Sequence, residues 1–447
     1  MCEITELCVT IVDTIIFLLR RGWGVLEINI NRLMNDIEAY SKYGLDFNGG
    51  VTRPSFSEAD YILRDVFKTQ LEEMGLEVTI DPIANIWGKF EGSAINNSTI
   101  VIGSHLDTVP NGGKFDGALG VLVAKEIIQT LIDHKVKLKH NLEIVSFTAE
   151  ESNEFNYSTM GSRAFAGKFT EAELIEAVDS KGIKLSDAVK KAGGDISKND
   201  KLPNKNIAAY LELHIEQGRK LEKANLSIGI VDHIVGVYRD KVIVEGVANH
   251  SGTTIMEERQ DALVAASEMV VSVQKHAKQV NSDAVATVGN LEVFPNATNV
   301  VPGRVEFMLE IRSANKIERE LLIKDIKQSF NDISETHNVT LSIKNHLNHQ
   351  ECSFDKQLIG AMKEVAESID HPYIVIPSMA GHDAMHMADI TKAAMLFVKS
   401  VGGISHNPKE FTHAEDIKKG ANTLLQVLLK IDEELTVTEM HESSVDS

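Results

Sequence analysis

The chain has 447 residues, 43% hydrophobic and 25% charged, with a formal net charge of −20. That length suits roughly two to three domains around a large core, and the composition excludes a disordered, collagenous or disulfide-built protein. The acidic balance disfavours partners with an anionic surface, nucleic acid or membrane, and three cysteines (Cys2, Cys8, Cys352) without a CxxC pair point to a reducing, cytoplasmic setting.

Residues 8–19, CVTIVDTIIFLL, are an apolar run followed by Arg20 and Arg21. The run is shorter than the ~20 residues of a spanning helix, and its charges follow it, whereas those of a secretory leader precede the apolar stretch. We read 1–25 as an N-terminal extension, either a helix packed on the body or the product of an upstream start. SEADYILRDVFKTQLEEMG (57–75) has helical spacing, with Ser57 as cap and Gly75 as stop. LEVTI (76–80), NIWGKF (85–90) and STIVIGSH (98–105) read as strands, and ALGVLVAKEIIQTLIDH as a helix. LEIVSFTAE (142–150) reads as a strand buried on both faces.

Strands alternating with helices predict an α/β domain, whose site lies at the carboxyl ends of its strands. Between 233 and 349 the texture changes. KVIVEGVA (241–248), ERQDALVAASEMVVSVQKHA, VEFMLEIRS and KIERELLIKDIKQSF read as strand, helix, strand and helix of a smaller α+β domain. After 350 the first texture resumes, with AAMLFVKS (393–400) as a strand. The expected organisation is a discontinuous catalytic domain over 26–232 and 350–435, an inserted lid over 233–349 and a tail over 436–447.

SHLDTVPNGGKFDG (104–117) carries His105, Asp107 and Asp116 at the end of a predicted strand. Glu150 and Glu151 end the next one, His214 follows a third in ELHIEQG, and His406 lies beyond a fourth in GGISHNP. Imidazoles and carboxylates are ligands for divalent transition metals. Five of them, His105, Asp116, Glu151, His214 and His406, exceed one tetrahedral ion but suit two that share a carboxylate. Asp116 is the natural bridge, with His105 and His214 on one ion and Glu151 and His406 on the other. Such a pair holds a water and polarises a carbonyl. Asp107 is placed to accept a hydrogen bond from the second ring nitrogen of His105. Glu150 is left as general base, and for it to face the same site as Glu151 the chain must turn there.

These residues, together with FTAEESNEFNYSTMGSRAF, ANHSGTTIMEERQDAL, PNATNVVPGRVEFMLEIRS, AGHDA and GGISHNPKEFT, resemble the amidase/carbamoylase branch of the dizinc M20 peptidase-like hydrolases, from about residue 28 to 432. That branch contains N-carbamoyl-L-amino-acid hydrolases, allantoate amidohydrolases and β-ureidopropionases. The resemblance implies the same five ligands, two zinc or manganese ions, and Glu150 as base. It implies that Asn299 and Arg312 grip a substrate carboxylate, that His250 stabilises the oxyanion from its own or the neighbouring subunit, and that Gln217, His382 and Gly381 contact the substrate. It also implies a homodimer through the lid and closure of the lid on binding. His214 stands where peptidase relatives carry a carboxylate, which favours ureido cleavage. Ser152, Glu154, Arg219, Ile255 and Lys399 depart from the branch's usual residues and leave the substrate's side chain open.

The expected activity is hydrolysis of the ureido C–N bond of an N-carbamoyl-L-amino acid or related ureido acid to amino acid, carbon dioxide and ammonia. Allantoate is the nearest alternative substrate. An M20 aminopeptidase or deacylase, or an inactive binding paralogue, are the remaining readings.

Overall fold

The computed structural model describes residues 26–93, 98–201, 205–280 and 283–445. The extension expected over 1–25 lies outside them. The chain divides into two compact units: Met1–Asp232, Phe354–Ile376 and His382–Ser447 form the larger, and His233–Ser353 with Pro377–Gly381 the smaller.

The larger unit is built on β1 (Glu77–Ile80), β2 (Ile86–Phe90), β3 (Thr99–His105), β4 (Asn141–Phe147), β5 (Ile207–Ile215), β6 (Ile228–Ile234) and β7 (Ala393–Val398). Their spatial order is β1-β2-β4-β3-β5-β7-β6. The central four, β4, β3, β5 and β7, run parallel. β1, β2 and β6 pair antiparallel with their neighbours. Every residue of β3, β4 and β7 is buried, so these strands are apolar almost throughout and do not alternate. Helix Ala118–Asp133 packs on β3, β4 and β5, and Ala414–Val445 packs on β5 and β7. This last helix runs on into the segment expected as a tail. Among the described residues, no helix is long and apolar enough to cross a membrane.

Local chemistry sets the boundaries. Ser57 caps helix Glu58–Glu73 by accepting from the Asp60 N–H, and Gly75 follows it at φ +83°. The strand expected over 142–150 stops at Phe147, because Ala149 adopts φ +58° and breaks the pleat.

The smaller unit is an antiparallel sheet in the order Thr340–His349, Gly236–Glu245, Arg304–Ser313, Val285–Phe294. Two of those strands, Thr340–His349 and Val285–Phe294, were not among the sequence expectations; most of their residues are exposed or half-buried, so their apolar signal is weak. Helices Ala262–Gln279 and Lys316–Thr336 close its core around Val242, Val244, Phe307, Leu309 and Phe330.

One buried network links the start of the larger sheet to the acidic end of β4. The Asp81 carboxylate accepts from the N–H groups of Ile83 and Asn85, from Asn85 Nδ2 and from Trp87 Nε1, at 2.8–3.1 Å. Asn85 Oδ1 in turn accepts the Thr148 N–H at 2.8 Å. Asp81→Ala leaves these buried donors without their acceptor and is expected to destabilise the fold by roughly 3–5 kcal/mol. Urea denaturation measures this; a loss under about 1 kcal/mol contradicts the role given to Asp81.

Candidate metal centre

The parallel register places the candidate residues on one edge of the sheet. His105, the last residue of β3, lies opposite Phe147 of β4, and His214 of β5 lies opposite Phe397 of β7. Asp116 sits on the loop leading into helix Ala118–Asp133, Glu150 and Glu151 lie just beyond β4, and His406 follows β7.

Two ligand groups that share Asp116 form there, beside a third made of Glu212, His214 and His382. The donor atoms of His105, Asp116 and His214 lie within 4.8 Å of one another, as do those of Asp116, Glu151 and His406. Asp116 belongs to both, with Oδ1 3.2 Å from His214 Nε2 and Oδ2 3.1 Å from His406 Nε2. His406 Nε2 is also 3.3 Å from Glu151 Oε1. Ligands of a tetrahedral zinc, each about 2.0–2.1 Å from the ion, lie about 3.3 Å apart.

Ring orientation supports the same reading. His214 Nδ1 is 2.9 Å from the Ile215 carbonyl and His105 Nδ1 is 3.0 Å from the Asp107 carbonyl. A carbonyl only accepts, so each Nδ1 carries a proton. In a neutral ring each Nε2 then presents a lone pair: that of His214 accepts the Gly117 N–H at 3.2 Å and also faces Asp116 Oδ1, and that of His105 faces Glu150 Oε2 at 3.6 Å. Lone pairs that face each other need a proton or a cation between them. Neutral imidazoles and ionised carboxylates in this number fit divalent zinc or manganese.

The electrostatics are those of a site where protons and metal compete. Burial pushes Asp116 up, but hydrogen bonds from His214 and His406 outweigh it and hold the carboxyl well below the usual range. Hydrogen bonds to Asp116 and Glu151 push His406 up to about 10. Burial works against charge on His105, yet Glu150, Asp107 and Asp116 hold it well above an ordinary histidine. Burial also drives Glu150 well above the usual carboxylate range, with Glu151 and Asp383 adding to the effect against His105. Binding a cation therefore displaces protons from the imidazoles.

Asp107 faces the second ring nitrogen of His105 with both its carboxylate and its backbone carbonyl. The nearer acceptor for His105 Nδ1 is the Asp107 backbone carbonyl at 3.0 Å; carboxylate Oδ1 is at 3.4 Å. The carboxylate accepts the N–H groups of Glu150 and Glu151 at 3.3 and 3.1 Å and the Ser55 hydroxyl at 2.6 Å. It thus holds the turn at Ala149 that lets both acidic residues face one site. Gln217 and His406 share the left-handed conformation of Ala149, at φ +56° and +54°; residues held in this way cluster at functional sites.

The residues expected to contact substrate fall in both units. In the larger, Gln217 Nε2 reaches Asp116 Oδ2 at 2.9 Å and Ser405 Oγ at 3.2 Å. His382 is buried, its ring edge-on to His214 at a centroid distance of 4.4 Å. In the smaller, His250 and Asn299 are exposed and adjacent: His250 pairs with Val300, and the Ser251 N–H donates to the Asn299 carbonyl at 3.1 Å. His250 Nδ1 accepts from the Gly252 N–H at 3.0 Å, leaving Nε2 as the donor of the neutral ring. Arg312 donates to Glu310 Oε1 at 2.8 Å and to the Met379 carbonyl at 2.7 Å. At Gly381 an added Cβ would meet nothing within 4 Å, so packing does not require glycine there.

Sequence reasoning missed Ser55, Ser405 and Glu410, which touch Asp107 or Asp116 or the backbone around them. Serine beside a ligand carries no signal of its own. Glu410 does carry one, an acid five residues beyond Ser405 in a loop already marked by His406.

Residues 101–430 match the family model described as Peptidase family M20/M25/M40. The chain is 36% identical over 405 residues to an N-carbamoyl-L-amino acid amidohydrolase of Geobacillus stearothermophilus, covering 90% of this chain and 98% of that one. It is 34% identical over 401 residues to an allantoate amidohydrolase of Bacillus subtilis (strain 168), covering 90% and 97%. A crystal structure of an amidase of the hydantoinase/carbamoylase family from Burkholderia multivorans superposes with a TM-score of 0.82 at 32% identity, over 91% and 98% of the two chains.

Gly117 tests the geometry. It adopts φ +64°, and a Cβ there would overlap the His105 imidazole. Gly117→Ala is expected to weaken zinc binding roughly 10–100-fold, the range for disturbing a ligand's support. Zinc titration against a competing chelator reads this; wild-type affinity contradicts the placement of His105.

Proposed function

The chain belongs to the M20/M25/M40 peptidase family, and on that premise we propose that it is a dinuclear metal-dependent amidohydrolase acting on the ureido C–N bond of N-carbamoyl-L-amino acids. The observation that carries this reading is the pair of ligand groups sharing Asp116. His105, Asp116 and His214 would hold one divalent ion, and Asp116, Glu151 and His406 the other, zinc or manganese. Such a pair activates water and polarises the ureido carbonyl when bound.

The chain's own residues supply the rest. Glu150 lies at the edge of the cluster with no role as a ligand in this scheme, and its raised proton affinity suits a general base near neutral pH. It takes the proton of the attacking water and passes it to the leaving nitrogen. One water is consumed; the products are the free amino acid, carbon dioxide and ammonia. Gln217 and His382 stand beside the ligands and are assigned to the substrate. In the smaller unit, Asn299 and Arg312 are assigned to its carboxylate, for which a planar guanidinium fork is suited. Nε2 of His250 is assigned to the developing oxyanion. A cytoplasmic homodimer, with the smaller unit as lid and dimerisation element, completes the reading. The allantoate amidohydrolase relative is nearly as similar as the carbamoylase one, so allantoate is the alternative substrate.

The test is ammonia release by the metal-loaded protein from N-carbamoyl-L- and D-amino acids, β-ureidopropionate and allantoate, and amino-acid release from a dipeptide, each with and without chelator. Chelator-sensitive release from an N-carbamoyl-L-amino acid is expected. Release from allantoate alone selects the alternative, and cleavage of the dipeptide alone overturns both.

Two substitutions sharpen the roles. Glu150→Gln is expected to lower kcat by at least about 100-fold, the scale of general-base catalysis, while metal content stays at wild type; substantial residual turnover removes Glu150 as base. Arg312→Ala is expected to raise KM for carboxylate substrates by about 10-fold or more, the scale of one lost charge-assisted bond. An unchanged KM removes Arg312 from the substrate.

A further inference from the structure

Glu410 lies four residues before helix Ala414–Val445, in the loop that carries His406, and it is 4% exposed. Its carboxylate is spent on the Asp116 loop. Oε1 accepts the N–H of Phe115 at 2.9 Å and of Asp116 at 3.0 Å. Oε2 is 2.8 Å from Ser405 Oγ, and that hydroxyl is 3.1 Å from Asp116 Oδ2. One side chain therefore grips the backbone at the bridging aspartate and shares with its carboxylate the single hydrogen of the Ser405 hydroxyl. The serine is next to His406. The two segments joined in this way are 294 residues apart in sequence.

The glycines of NGGKFDG record the same contact. A Cβ at Gly113 would overlap the Glu410 carboxylate, whereas Gly113 has no left-handed backbone that would demand glycine. The side-chain-free position is the space Glu410 occupies. None of the assigned chemistry needs a carboxylate there, and the residue reaches no ligand atom except through Ser405.

We propose that Glu410 is a positioning residue that sets the Asp116 carboxylate between His214 and His406 and thereby fixes how tightly both ions are held. The inference rests on the reading of the Asp116 cluster as a metal centre. Glutamine can replace glutamate in this role. Its amide oxygen accepts the same two N–H groups and its NH2 donates to Ser405 Oγ, freeing the serine hydrogen for Asp116. Alanine can do neither.

The experiment is titration with Zn2+ alone, against a competing chelator, of wild type, Glu410→Ala, Glu410→Gln, Gly113→Ala and Asp116→Ala. Glu410→Ala and Gly113→Ala are expected to weaken zinc binding roughly 10–100-fold, as loss of a ligand's hydrogen-bonded support does. Glu410→Gln is expected to bind close to wild type. Wild-type affinity in both Glu410→Ala and Gly113→Ala overturns the inference while Asp116→Ala, by losing zinc, keeps the metal centre. Equal impairment of Glu410→Ala and Glu410→Gln also overturns it, because the role would then not be the hydrogen bonds described. Asp116→Ala binding zinc like wild type removes the metal centre itself. Should Glu410→Ala fail to fold, Gly113→Ala against Glu410→Gln makes the same comparison.

Discussion

Asp116 is a buried carboxylate that meets polar groups on both oxygens, and the architecture around it follows from that. Oδ1 faces His214 Nε2, and Oδ2 faces His406 Nε2, Gln217 Nε2 and Ser405 Oγ, all within 3.2 Å. An isolated buried carboxylate carries a desolvation penalty of several kcal/mol. Here the compensation comes from β5, the loop beyond it and the loop beyond β7, which must therefore converge on the start of one helix. Parallel pairing of β4, β3, β5 and β7 is what brings those loops to a common edge. The same carboxylate can serve two cations, because each oxygen faces its own imidazole.

The second constraint is the turn after β4. Glu150 and Glu151 would point to opposite faces of a continued strand. Ala149 breaks the strand at φ +58°, and Asp107 accepts both acidic residues' N–H groups. The consequence is a division of labour between neighbours in sequence. Glu151 comes within 3.3 Å of His406, while Glu150 stays beside His105 under a burial that raises its proton affinity.

Much of this was legible in the residues. The apolar runs of β3, β4 and β7 mark strands buried on both faces, and the histidines and carboxylates fall at or beyond the ends of these and of β5. The helix bounded by Ser57 and Gly75 was readable from its cap and stop. What escaped reading depends on contacts between distant segments. The nearer acceptor of His105 is a backbone carbonyl, which no side-chain pattern announces. The turn at Ala149 uses a residue that sequence alone does not associate with a left-handed backbone. Ser55, Ser405 and Glu410 act only because the fold carries them beside Asp107 or Asp116. The two unforeseen strands of the smaller unit have only exposed or half-buried residues. Gly113 and Gly117 were visible as glycines, but the side chains they make room for were not.

The central claim is that Asp116 joins two ion sites into one centre. Anomalous diffraction at the zinc edge from crystals of the zinc-loaded protein tests it most directly. The account predicts two peaks about 3.5–4 Å apart, the spacing of cooperating metal pairs, each in contact with one oxygen of Asp116, with His214 on one and His406 on the other. A single peak, or two peaks of which either fails to touch Asp116, would contradict it.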